Sequence, residues 1–297
     1  PREYQSLYTH IIRTSYNVSA TNGRIFAGWR IWQTIKNVQD FDSLVDQEIR
    51  GEDFLWYTQV CFNDICSLMV SKPNCRGYYV IEDGSGSYRK ENKPTFTGIK
   101  GLIYHFLLKP LFPRLFIVKN HMIETEHHKF KGCIASNDMC FPLHKQYTRV
   151  IGIPFVPVPL AKVPDAIISI DPLFLWISQE DAECLFQRLA AFVNNKGYKY
   201  IVYKHHPYNL SSAHINAHRQ YNEWIKHYFT ANLQELDSQV SLENTIMAHQ
   251  CDFYTAVSSV AIYAKAMGVV CYSYMPIIRE YAQVPIHIVE ELCIPIE

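Results

Sequence analysis

Three short stretches carry residue types that could do chemistry together. "VIEDGSGSY" closes an apolar run with Glu82 and Asp83 and continues through Gly84 and Ser85. "IVYKHHPY" closes another with Lys204, His205 and His206. "YTAVSSVAIYAKAMG" sets Ser258 and Ser259 at the start of an apolar helical run. A carboxylate at a strand end can take a proton from an attacking hydroxyl. An imidazole ordinarily titrates near neutrality, so it can stabilise or protonate a departing phosphate. Two serines beside the unpaired N–H groups of a helix start suit an anion. Each stretch also has a plainer reading: a charged Asx-type turn, a polar turn and a simple N-cap.

The surrounding patterns say which elements must hold these residues. "FLWYTQV" from Phe54 reads as a strand, "FNDICSLMVS" as a short helix and "GYYVIEDG" as a second strand. That order implies a parallel unit. "AIISI", "KYIVYKHHP", "DFYTAV" and "VVCYSY" read as further strands, with helices in "SQEDAECLFQRLAAFVNNKG", "LENTIMAHQ" and "SSVAIYAKAMG". In the first of these helices, Ser178 and Asp181 resemble a capping box, and Gly197 is a terminator. Strands alternating with helices predict an α/β doubly wound sheet, which binds ligands at the carboxyl ends of its strands. "NGRIFAGWRIWQTIKNV" repeats apolar residues at helical spacing. "LYTHIIRTSYNV" is a candidate first strand. "RVIGIPFVPVPLAKVP" holds four prolines and reads as an extended linker. A domain boundary placed there gives an N-terminal domain over 1–155, carrying "EDG", and a C-terminal domain over 156–297, carrying "HP" and "SS".

Composition narrows the classes. The chain has 297 residues, enough for two cores, and 28 basic residues balance 28 acidic ones. No global field draws it to nucleic acid, so that class of partner is not expected. Nine cysteines at irregular spacing, with no CxxC, point to a reducing compartment rather than to disulfides or zinc. "ETEHHKF" places His127 and His128 beside Glu126, but neighbouring side chains on a regular element point apart, so no metal site is expected there. No apolar run approaches the ~20 residues of a membrane span. "GIKGLIYHFLLKPLFPRLFIVKN", residues 98–120, reads first as a core helix followed by a strand. Its alternative is a basic, apolar surface that rests on a membrane or receives a lipid-linked substrate.

"EDG", "HP" and "SS", in this order across residues 78–268, resemble the signature motifs of bacterial GT-B sialyltransferases of the capsular and lipooligosaccharide type. The resemblance implies two Rossmann-like domains facing a central cleft, the N-terminal one on the acceptor side. It implies inverting, metal-independent transfer of sialic acid from CMP-sialic acid to a hydroxyl of a glycan acceptor, with no cofactor. By it, Glu82 is the general base, Asp83 supports it, and Gly84 and Ser85 belong to the acceptor-side loop. His206, with Lys204, contacts the CMP phosphate and assists its departure. Ser258 and Ser259 bind that phosphate, and Glu243 of "SLENTIMAHQ" holds the ribose. The family often has proline where this chain has His205, so His205 is an alternative imidazole. Another CMP-activated acid (Kdo, legionaminic or pseudaminic acid) fits the same motifs. A non-catalytic nucleotide-binding protein is the reading from another class. The resemblance places the protein in the bacterial cytoplasm, with peripheral contact at the inner membrane left open.

Overall fold

The computed structural model describes residues 28–59, 64–88, 123, 125–152, 156–284 and 288–297, with the backbone alone for a few of them, Ser85 included. The basic apolar segment 98–120 and the candidate first strand in "LYTHIIRTSYNV" lie outside the described residues. The chain divides into two compact units. One comprises Pro1–Asp83 and Lys90–Val150, the other Gly84–Arg89 and Ile151–Glu297. The "EDG" stretch, expected whole in the first domain, is therefore split. Glu82 and Asp83 go with the first unit and Gly84 with the second.

The first unit runs α1 (Gly28–Ile49), β1 (Phe54–Thr58), α2 (Asp64–Ser71), β2 (Cys75–Ile81), β3 (Phe130–Ala135) and β4 (Thr148–Val150). Its strands form one sheet in the order β1-β2-β3-β4, each pair parallel. The strand-helix-strand unit expected from residue 54 is present. Lys72, at the end of α2, reaches back to α1 and pairs with Asp42 at 2.5 Å and Asp46 at 2.6 Å. His127 and His128 occupy a turn before β3, not a regular element, so their rings lie 4.5 Å apart rather than on opposite sides.

The second unit contains β5 (Ala166–Ile170), α3 (Gln179–Asn194), β6 (Tyr200–His205), α4 (Ile215–Tyr228), β7 (Asn232–Glu235), α5 (Leu242–His249), β8 (Asp252–Thr255), α6 (Val260–Ala266), β9 (Cys271–Ser273), α7 (Met275–Tyr281) and β10 (Ile294–Pro295). The sheet order is β10-β9-β8-β5-β6-β7, again parallel throughout. The chain winds outward from β5 through β6 to β7, then returns to β8 on the other side of β5. The order therefore reverses between β5 and β8. The two units are α/β with parallel sheets, consistent with the expected GT-B-like class.

Local signals explain most of these elements. Ser178 caps α3, accepting from the Asp181 N–H at 3.1 Å, and the Ser178 hydroxyl donates to the Asp181 carboxylate at 2.7 Å. Leu185, Phe186, Leu189 and Val193 bury one face of the helix. Gly197 follows it with φ +71°, a left-handed conformation suited to glycine. The polar helix α4 and strand β7 are harder to read. Tyr221, Trp224 and Ile225 give α4 its buried stripe at helical spacing, and Phe186 packs against Tyr221 and Trp224 at 5.4 and 5.7 Å between ring centroids. The proline-rich segment crosses α5 as an extended strap: Val158 N–H donates to Asn244 O at 3.1 Å and Leu160 N–H to His249 Nε2 at 2.8 Å. Eight described cysteines are free thiols. Among the described residues no helix is long and apolar enough to cross a membrane.

Phe186→Ala removes the aromatic wedge between α3 and α4 and should cost the second unit about 3–5 kcal/mol. Ser178→Ala removes only a cap, about 1 kcal/mol. Urea unfolding followed by Trp224 fluorescence should rank the two in that order.

Candidate functional site

Ligands of an open α/β sheet bind at the carboxyl ends of the strands where the order reverses. Here that point is the end of β5 and β8. The residue following β5 is Asp171, only 2% exposed, and three groups converge on its Oδ2 atom. Ala256 N–H donates at 2.9 Å, the Thr255 hydroxyl at 3.1 Å and the Tyr274 hydroxyl at 3.0 Å. Burial pushes the Asp171 carboxyl above its ordinary range. The Ala256 N–H, Tyr274, Thr255 and the charge of nearby His206 pull it partly back. Tyr274 has one proton for two acceptors, Asp171 Oδ2 and Ser169 O at 2.7 Å. Sequence reading passed over Asp171, although "IISIDP" ends an apolar run on an acid just as "YVIEDG" does.

The two expected motifs of the second unit lie on either side of this carboxylate. His206 follows β6, and its N–H donates to Ile170 O at 2.9 Å, one residue before Asp171. Its side chain is exposed, and Nδ1 accepts from Tyr208 N–H at 3.2 Å. Asn209, fully buried, ties the same turn to β5 by donating to Ile170 O at 2.9 Å. On the other side, Ser258 N–H donates to the Thr255 hydroxyl at 2.9 Å. Ser258 Oγ accepts weakly from Val260 N–H at 3.4 Å, while the Ser259 side chain makes no capping bond. Gly84 lies against Ser259: a Cβ added there would sit 3.2 Å from Ser259 Oγ, and the residue has φ +45°. The left-handed conformation favours glycine here, and a side chain would also crowd the Ser259 hydroxyl. The structure brings His206, Ser258, Ser259 and Gly84 onto one unit.

His205 has a different place. It is 2% exposed, and burial lowers its pKa to about 4. Asn209 Nδ2 lies 3.4 Å from its Nδ1, and Asn222 Oδ1 lies 2.9 Å from its Nε2. Asn222 Nδ2 donates onward to Glu235 at 3.2 Å, and His218 Nε2 lies 3.1 Å from the same carboxylate. The ligand atoms of His205, His218 and Glu235 all fall within 4.8 Å of one another, so the three could hold a metal ion. Hydrogen bonds through Asn222 already account for their arrangement. His205 and Glu235 also border a cavity of about 390 Å³ that includes Leu236, Asp237 and Ser238.

Lys204 is half-buried, and its ammonium donates to the carbonyls of Val240 and Ser238. Burial lowers its pKa, against the pull of Glu243 and Asp237. Glu243 sits in the first turn of α5, where it accepts from the Ser241 hydroxyl at 2.8 Å. In the first unit, Glu82 follows β2 and continues its ladder by donating to Ile134 O at 3.1 Å. Its Oε2 accepts from Ser136 N–H at 2.7 Å, which fixes the carboxylate over the end of β3. Asp83 is exposed.

No protein-family model matches this chain, and no curated protein sequence matches it. Among solved structures it is similar to S. aureus MnaA in a co-structure with UDP, at 11% identity and TM-score 0.48, over 82% of this chain and 63% of that one. It is similar to a glycosyltransferase from Rickettsia africae ESF-5 at 12% identity and TM-score 0.40, over 92% of this chain and 68% of that one. It is also similar to the pneumococcal O-GlcNAc transferase GtfA in complex with UDP and GlcNAc, at 11% identity and TM-score 0.38, over 84% of this chain and 45% of that one. None of these likenesses assigns a role to a residue of this chain.

Proposed function

We propose that the chain is an inverting glycosyltransferase that uses a CMP-activated sugar acid, with CMP-sialic acid as the donor and a glycan hydroxyl as the acceptor. One observation carries this reading. Two independent sequence motifs suited to a phosphate, at His206 and at Ser258–Ser259, flank one buried carboxylate at the reversal point of a parallel sheet. The exposure of His206 and the burial of His205 favour His206 as the imidazole that meets a ligand.

In this reading the acceptor oxygen forms a bond to the anomeric carbon while its proton passes to Glu82. The bond from that carbon to the CMP phosphate oxygen breaks, and its electron pair leaves with the phosphate. His206 and the two serine hydroxyls stabilise the charge that develops on the leaving oxygen. The sugar passes through an oxocarbenium-like state, as in glycoside hydrolysis. Ser136 N–H holds Glu82 in one orientation, which suits a base that must meet a proton along a fixed line. Glu243 and Lys204 complete the donor side and Asp83 the acceptor side, whereas Gly84 and Ser85, expected in the acceptor-side loop, go with the donor unit. A lipid-linked acceptor, a bacterial cytoplasmic setting and contact with the inner membrane belong to the same reading.

Calorimetry with CMP, CMP-sialic acid, CMP-Kdo and UDP-sugars tests the donor. Binding of UDP without CMP overturns the reading, and preference for CMP-Kdo redirects it to another acid. Release of CMP in the presence of an oligosaccharide panel tests the roles. Glu82→Gln should lower kcat by about 10²–10⁴-fold with CMP affinity retained. His206→Ala should lower kcat and weaken CMP as well. Wild-type rates in both variants would remove these residues from the chemistry.

The group of His205, His218 and Glu235 favours one competing reading, a metal-dependent hydrolase. EDTA treatment separates them: transfer should persist undiminished, whereas a hydrolase dependent on that group loses activity.

A further inference from the structure

Asp171 is a buried carboxylate that the proposed transfer does not consume. Its contacts form a directed relay. The Thr255 hydroxyl donates its single proton to Asp171 Oδ2, so its lone pairs face the other way and accept the Ser258 N–H at 2.9 Å. Ala256 N–H is drawn to the same oxygen. Of the three N–H groups from Ala256 to Ser258, one is thereby held by Asp171 Oδ2 and another by the Thr255 hydroxyl bonded to it. Thr255 is fully buried and Tyr274 1% exposed, so neither solvent nor ligand competes for these bonds. The peptide of the next residue on the opposite side, His206, is fixed to Ile170, the residue before Asp171.

We infer that Asp171, acting through the Thr255 hydroxyl, is the positioning residue that sets the Ser258–Ser259 turn for the phosphate of the bound nucleotide. The inference rests on the nucleotide reading above, and it concerns the phosphate alone. A carboxylate that orients a hydroxyl, which in turn orients a backbone turn, fixes hydrogen-bond donors before the ligand arrives. The sugar and base of the nucleotide make no demand on this relay. Loss of the relay therefore lowers affinity for a nucleotide but not for its nucleoside.

The experiment compares CMP with cytidine on the full chain, by calorimetry or ligand-observed NMR. Thr255→Val keeps the shape of the side chain and cuts the relay. It should weaken CMP about tenfold and leave cytidine unchanged. Thr255→Ser restores a hydroxyl and should restore CMP affinity. Asp171→Asn should follow Thr255→Val. If Asp171→Asn does not fold, the two Thr255 variants decide the matter alone. Equal weakening of CMP and cytidine, unchanged CMP affinity in Thr255→Val, or no rescue by Thr255→Ser overturns the inference while leaving the donor reading intact. Failure of the wild-type chain to bind CMP overturns the donor reading and this inference with it.

Discussion

The second unit is organised around one buried charge-capable group. A carboxyl in the interior is costly unless donors surround it, because it leaves water without replacement. Asp171 meets that constraint with donors from Thr255 at the end of β8, Ala256 just after it and Tyr274 just after β9, and those donors are what join the strand ends. Removal of the carboxyl would leave the Ala256 N–H and the Thr255 hydroxyl buried without an acceptor. The ends of β8 and β9 are thus tied to Asp171 Oδ2, while the turn after β6 is tied to the neighbouring carbonyl of Ile170.

A second polar system lies one strand outward and serves a different end. His205, Asn209, Asn222, His218 and Glu235 link β6, α4 and β7. His205 stays neutral near pH 7 because burial disfavours its charged form. An imidazole in that state supports packing and hydrogen bonding but does not carry a positive charge to a phosphate. Its neighbour His206 faces solvent instead, because it lies beyond the end of β6 and caps the exposed turn that begins at Pro207. The ambiguity between the two histidines is decided by where β6 ends: His205, opposite Ile170, is its last residue, and His206 is the first of the turn.

Much was legible in the amino-acid sequence. Apolar runs ending in polar residues located β2, β6 and β8, and the strand-helix alternation gave the α/β class. Ser178 and Gly197 marked both ends of α3, because capping and left-handed termination are local physics. The polar helix α4 was not legible: its buried stripe is three residues wide in a run of His, Asn, Gln, Glu and Lys, and contact with α3 is what makes it a core element. The grouping of Gly84 with the second unit was equally hidden, since it depends on the approach of Ser259, 175 residues away in the chain.

The sequence by itself determined which residue types stand at the strand ends, and in what order. A strand's carboxyl end and a helix's start are written in periodicity and caps within about ten residues. Tertiary structure alone decided which of those ends meet. The return of β8 to the side of β5 places Asp171, His206 and Ser258 around one point, though 87 residues separate Asp171 from Ser258. Strand order is set by the packing of whole elements, and no local pattern encodes it.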